Sequence, residues 1–291
     1  MKTIIAFIKR RPVLSYFALA CAISWGGILV VVGPGGIPGS TDQTEMLLPF
    51  VVLAMLVGPS VASILLTGLL HGRAGLGELL SRLLRWRVGA RWYAVALLAA
   101  PLLVTAVLLA LSLTSPVFLP GIFTSDEKAT LLLVGIAYGL AAGFFEELGW
   151  TGFAVPGLRP RYGVLATGLV VGLLWGAWHF LVNVWASGTS SGAFSLLLFL
   201  PQFLFYVGVL PAYRVLMVWV YDRTGSLLLA MLMHASLTAS LPLILAPPAT
   251  GVPLLSSYLV LAAALWAVVG AVAMANGRHL SRQPLPPRRV A

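Results

Sequence analysis

The amino-acid sequence predicts an all-α, polytopic membrane protein of about eight transmembrane helices, and three observations carry that expectation. Of 291 residues, 60% are apolar and only 9% are charged, against roughly a quarter charged in soluble globular domains. The apolar residues fall into long runs near the roughly 20 residues that a bilayer core demands. The basic residues gather between alternate runs. A soluble chain of this size cannot hide so much apolar surface, because its outer shell has to be polar.

The runs lie near 13–33, 46–70, 93–117, 129–156, 163–185, 194–220, 226–245 and 254–275. The first is longer than the apolar stretch of a signal peptide, and no small-residue cleavage site separates it from polar sequence, so it reads as a retained span. Cys21, the one cysteine, leaves no intrachain disulfide and no cysteine-based metal site to consider. Between the second and third runs, Leu79, Leu80, Leu83 and Leu84 recur at helical spacing with Arg82, Arg85 and Arg87 among them. That pattern predicts an amphipathic helix at about 75–90, lying on an anionic leaflet. The polar, proline-rich end at 283–291 predicts disorder. No internal repeat is evident. The chain thus divides into 1–128 with three spans and the amphipathic helix, a four-span core at 129–245, and the eighth span with a basic tail at 246–291.

Charge sets the orientation. Lys2, Lys9, Arg10 and Arg11 precede the first run, and Arg73, Arg82, Arg85, Arg87 and Arg91 follow the second. Arg159 and Arg161 follow the fourth, Arg214 and Arg223 sit around the end of the sixth, and Arg278, Arg282, Arg288 and Arg289 follow the eighth. Read this way, seventeen of the 18 basic residues share one side, leaving Lys128 on the other. The opposite loops carry Asp42, Glu45, Asp126 and Glu127, or no charge. The positive-inside rule then predicts cytoplasmic N- and C-termini in the plasma membrane. The net charge of +10 is a topology signal rather than a nucleic-acid footprint, and the bilayer is the expected partner.

Against this background few residues are out of place. Glu146 and Glu147 are adjacent inside the fourth run, His179 lies in the fifth, and His234 in the seventh. A carboxylate at the centre of a membrane helix costs about 3 kcal/mol on insertion scales, so such groups face a cavity or one another. A lone histidine can be a structural hydrogen-bonder between helices, but four ionisable groups from three helices predict a functional site. Adjacent helical residues point about 100° apart, so one glutamate faces the cavity and the other supports it. One turn from each group stands a polar or aromatic neighbour: Thr151 from Glu147, Trp175 and Asn183 from His179, Thr238 from His234. By rise per residue, Glu146 and His234 lie about 12–15 Å from the basic ends of their helices, and His179 lies deeper.

These residues carry a resemblance. Glu146-Glu147-Leu-Gly-Trp150-Thr151, then Trp175-Gly-Ala-Trp-His179, then Thr224-Gly225-Ser226-Leu227 leading to His234-Ala-Ser-Leu-Thr238 resemble, in order and spacing, the CPBP intramembrane proteases. That family comprises the type II CAAX prenyl proteases and the Abi, bacteriocin-immunity-like proteins. The resemblance covers about 130–240 and makes 129–245 a CPBP-like catalytic core. It implies a conical intramembrane cavity open to the cytoplasmic side. It also implies an endopeptidase cutting a membrane-associated peptide or protein near the cytoplasmic face. By analogy Glu146, with His179, activates water, and His234, helped by Thr238 or Asn183, stabilises the oxyanion.

Two positions depart from the family pattern. Its arginine, four residues after the second glutamate, is Thr151 here, and its Asn or Asp, four after the second histidine, is Thr238. Loss of the arginine predicts a Glu147 that is more often protonated or hydrogen-bonded to Thr151, and a mild effect of Glu147→Gln. A threonine hydroxyl still donates, with shorter reach. The residues themselves allow a second chemistry: Glu146, His179 and His234 also make a His₂Glu set for Zn²⁺ with water as fourth ligand, Asn183 and Thr238 being the nearest outer acceptors. The metal-free arrangement, with no cofactor, is preferred because Glu146 acts as base in both. Two rival functions are a catalytically weakened immunity or scaffold protein and a proton-coupled transporter. The second lacks the repeated halves such transporters usually show.

Overall fold

A computed structural model describes residues 2–33, 35–276 and 280. The tail and its arginines Arg278, Arg282, Arg288 and Arg289 lie outside the described residues. Among those described, eight helices are long and apolar enough to cross a membrane. They are α1 (Pro12–Val32), α2 (Thr41–Leu83), α3 (Ala90–Ser112), α4 (Lys128–Leu158), α5 (Val164–Trp185), α6 (Leu196–Thr224), α7 (Leu227–Ile244) and α8 (Gly251–Ala275). The expected spans are reproduced to within a few residues at most ends. No named strand occurs among the described residues, so the all-α polytopic membrane class stands.

Local chemistry explains several starts. Pro12 opens α1, where its missing N–H costs nothing. Ser40 and Gln43 form a reciprocal capping box at the head of α2. Ser226 accepts from the Leu229 amide at the head of α7. Outward-facing residues such as Leu133, Leu165 and Leu102 stay exposed, which is the expected face toward lipid.

Two glycine stripes set the geometry of the core. On α4, Gly135, Gly139 and Gly143 recur every four residues along the face that meets α7. A β-carbon at Gly139 would lie 2.4 Å from the Ala235 carbonyl oxygen, and one at Gly143 would lie 2.4 Å from that of Met231. On α5, Gly168, Gly172 and Gly176 face α6, where added β-carbons would meet Val215, Pro211 and Tyr206 at 2.6, 2.5 and 2.3 Å. Helices in lipid gain no hydrophobic drive from one another, so such close backbone approach is what lets them associate. The first stripe brings the Glu146–Glu147 turn against His234. The second brings the Trp175–His179 turn against α6.

The helices that carry the site are interrupted beside it. Wide π-type turns occur at Trp150–Ala154, Phe205–Val209 and Ser240–Ile244, and α5 breaks at His179. Such turns re-aim side chains and concentrate at functional sites.

The amphipathic helix is shorter than expected and differently placed. It runs on from α2 across a break at Gly72, whose φ of 61° favours glycine, and ends at Leu83. Leu79 is buried against Leu148, Leu227 and Met231, with Leu83 packed alongside. The Arg82 guanidinium donates to the Gly152 carbonyl and the Tyr221 hydroxyl. Ser226 donates to the Arg85 carbonyl at 2.7 Å. Leu80, Leu84 and Trp86 remain exposed. The segment is therefore docked under the basic ends of α4, α6 and α7, with only one face left for a membrane surface.

Candidate active site

A cavity of about 500 Å³ runs through the bundle, and Glu146, His179, Asn183, His234 and Thr238 all line it. Glu147 and Thr151 are fully buried behind its wall. The adjacent glutamates thus face different surroundings, as the helical geometry requires.

Glu146 is held by two indoles. Its Oε2 accepts from Trp150 Nε1 at 3.1 Å and from Trp175 Nε1 at 2.7 Å. The other oxygen, Oε1, stands 3.8 Å from His234 Nε2. Glu147 has a cationic partner after all. The Arg214 guanidinium donates through one terminal nitrogen to Oε2 at 2.7 Å and through the other to Oε1 at 2.8 Å. Thr151 donates its hydroxyl to the same Oε2. A two-pronged guanidinium–carboxylate contact is the strong, geometrically specific form of ion pair.

This corrects two expectations. Arg214 is not a loop charge marking topology; it lies within α6 and is fully buried. And the pairing thought lost with Thr151 is supplied from another helix, which removes the reason to expect a more often protonated Glu147. Thr151 adds a hydrogen bond where the family arginine would stand. Arg214 also lies over the Trp175 ring, 4.2 Å from its centroid, so one guanidinium pairs with Glu147 and braces an indole that holds Glu146.

The histidines are oriented by what they donate to. His234 Nδ1 is 2.7 Å from Glu147 Oε1. A carboxylate paired with Arg214 has no proton to give, so the imidazole donates through Nδ1 and turns Nε2 toward Glu146 and the cavity. His179 Nδ1 donates to the Trp175 carbonyl at 2.9 Å, which leaves Nε2 free. Its ring stacks on Tyr206, with 4.4 Å between centroids. Trp175 sits beside His234 at 4.8 Å between centroids. His179, one turn further along α5, is therefore set higher in the cavity than the Glu146–His234 floor. The greater depth of His179 reckoned from the sequence has this explanation.

Asn183 bonds the Phe199 carbonyl at 3.4 Å and Thr238 presents its side chain to the cavity. Neither is the partner of an imidazole, the role envisaged for them around a metal. Among the described residues no three His, Cys, Asp or Glu side chains gather closely enough to hold a metal ion, and one Glu146 oxygen is already taken by two indoles.

Above its floor the cavity is lined by the ends of the helices nearest the acidic or uncharged loops, and it reaches Ala246–Gly251 between α7 and α8. No lining residue comes from the arginine-bearing loops.

Fold and site together define a class: a polytopic helical membrane protein with a glutamate–histidine–arginine cluster at the floor of an intramembrane cavity. Residues 128–240 match a family model described as Rce1-like, type II CAAX prenyl endopeptidase. A stretch of 58 residues is 38% identical to CAAX prenyl protease 2 of Methanococcus maripaludis, covering 20% of this chain and 20% of that protein. Residues 128–240 of the chain are thus similar to this protease family, and the 58-residue match spans only about a fifth of the curated relative.

Proposed function

We propose that this protein is an intramembrane endopeptidase that hydrolyses a peptide bond of a membrane-associated peptide or protein with water activated by Glu146. The observation that carries the reading is the asymmetric hold on Glu146: two indole N–H groups fix one oxygen and leave the other facing the cavity beside His234. A carboxylate held this way is aimed before substrate arrives.

In this mechanism a water between Glu146 Oε1 and the free Nε2 of His179 gives its proton to Glu146, and its oxygen attacks the scissile carbonyl carbon. His234, having taken up a second proton from solvent before the attack and keeping it throughout, donates Nε2–H to the developing oxyanion, and Glu147 stabilises the imidazolium through Nδ1. Thr238 or Asn183 adds a neutral donor. The C–N bond then breaks as Glu146 passes its proton to the leaving nitrogen, which balances the hydrolysis. No metal enters any step, a choice supported by Glu146 acting as the base in either version. The arginine-rich loops support cytoplasmic termini.

Purified protein in vesicles, offered a library of membrane-embedded peptides and read by mass spectrometry, tests the proposal. Wild type should release products, and Glu146→Gln should lower turnover by about 10²–10⁴-fold, the usual worth of a general base, while folding normally. Equal turnover by Glu146→Gln and wild type would remove Glu146 from the chemistry and the mechanism with it.

A further inference from the structure

His179 stands at the break in α5, where regular helical neighbours hold a side chain least. It follows the helix Val164–Trp178 and precedes Phe180–Trp185. Its Nδ1 bond to the Trp175 carbonyl, at 2.9 Å, fixes one edge of the ring. The directions from which a carbonyl accepts are broad, so that bond by itself lets the imidazole pivot. Trp178 meets the ring edge-on, at 4.7 Å between centroids and 79° between planes. Tyr206 lies flat against it, at 4.4 Å and 13°. Any pivot of the imidazole has to give up that flat contact. Two local features place Tyr206 there. Gly176 lets α6 come close to α5, because a β-carbon there would lie 2.3 Å from the Tyr206 carbonyl oxygen. The wide turn Phe205–Val209 then carries neighbouring rings to different partners, Phe205 to Tyr258 at 5.2 Å between centroids and Tyr206 to His179. The backbone of Tyr206 thus makes the helix contact, and its half-buried ring in the cavity wall is left for the imidazole.

We infer that Tyr206 is a positioning residue for the proposed hydrolysis: its ring holds the His179 imidazole in the plane that keeps Nε2 toward the water shared with Glu146. The stack needs a flat face and makes no use of the hydroxyl. No proton passes through Tyr206, so its loss should slow the chemical step rather than weaken substrate binding. A misaimed Nε2 is costly because proton transfer demands hydrogen-bond reach and alignment at the moment of attack. The inference rests on the proposed role of His179, but the set of the imidazole is measured without any proteolysis.

The experiment compares the full-length wild type, Tyr206→Leu and Tyr206→Phe in vesicles. Isotopic labelling of the histidine ring nitrogens alone gives few magnetic-resonance signals, because the sequence holds four histidines, and His179→Gln identifies those of His179. In wild type they should form one sharp set with the proton on Nδ1. Tyr206→Leu should broaden or split that set while leaving the His234 signals in place, and Tyr206→Phe should restore it. Turnover of a cleaved peptide should follow. With leucine, kcat should fall about threefold to tenfold, the rate equivalent of one aromatic pair, at unchanged KM. With phenylalanine most of it should return. The inference is overturned if Tyr206→Leu keeps the wild-type His179 signals, or if those signals move and kcat does not. It is also overturned if KM rises while kcat holds, which makes Tyr206 a substrate contact, or if phenylalanine is as slow as leucine, which makes the hydroxyl the working group. Should Tyr206→Leu not fold, Tyr206→Met, of similar bulk and without a flat face, takes its place. Failure of both to fold overturns the inference by making the ring structural. A chain that cleaves nothing while its His179 signals move as expected would sink the proposed hydrolysis and leave the hold on His179 standing.

Discussion

Glu146 and Glu147 are neighbours in sequence and opposites in surroundings. Glu146 lines a cavity, accepts two neutral indole N–H bonds on one oxygen and keeps the other for whatever enters. Glu147 is sealed away, with Arg214, Thr151 and His234 taking up both oxygens. A helix turns about 100° per residue, so one residue of offset separates a poised group from a structural one. The difference teaches that charge at membrane depth has two uses here. One carboxylate is left with a vacancy for a reactant, and the other is neutralised so that it can orient a histidine. Arg214 serves both, pairing with Glu147 and stacking on the Trp175 that holds Glu146.

The largest effect should come from unbalancing the sealed carboxylate. Arg214→Met leaves Glu147 buried without its cation and should destabilise the fold by about 3–5 kcal/mol, the usual cost of breaking a buried pair from one side. Adding Glu147→Gln should recover part of that loss, because the stranded charge is gone. Thermal unfolding in detergent measures both. Additive losses in the double variant would mean that the two side chains are not coupled. Glu147→Gln alone, expected from sequence to be mild, should instead be damaging, since it strands Arg214.

A smaller effect is expected where Glu146 is held. Trp175→Phe keeps a ring under Arg214 but removes the shorter of the two indole bonds to Glu146. A hydrogen bond to a charged group is worth about 1.5–3 kcal/mol, so kcat should fall about tenfold to a hundredfold with stability little changed. An unchanged kcat would show that Trp150 alone suffices to aim the carboxylate. The smallest change is expected at Thr238→Asn, which exchanges a hydroxyl donor for an amide of longer reach. Turnover should be kept or raised, by no more than about tenfold, the rate equivalent of roughly 1.4 kcal/mol. A marked fall would mean that Thr238 is fitted to its place rather than a weakened substitute.

Much of this was readable in one dimension. The eight spans follow from hydropathy because a bilayer imposes a length that the sequence has to meet. The Glu pair and both histidines stood out because ionisable groups are costly inside a membrane. Arg214 obeys the same rule, yet its position near the end of a run makes it look like a loop charge. It lies ten residues before Thr224, inside the apolar stretch Val207–Val220, yet the tendency of arginines to mark loops assigned it to the surface. The glycine spacing on α4 and α5 was equally visible, and periodicity of small residues was the signal to look for. The amphipathic segment was found, but its length depended on a break at Gly72 and on which leucines met the bundle.

By itself, then, the sequence determined the number of membrane crossings, the sidedness of charge and the identity of the groups that line the floor. These depend on composition and local period, which act residue by residue. Tertiary structure alone decided that Arg214 replaces the arginine missing at Thr151, that two tryptophans hold Glu146, and which helix ends line the cavity. Each of those depends on which helix faces which. That is set by backbone contact along glycine stripes and by side chains reaching across 29 to 67 residues of chain, distances over which no local pattern carries information.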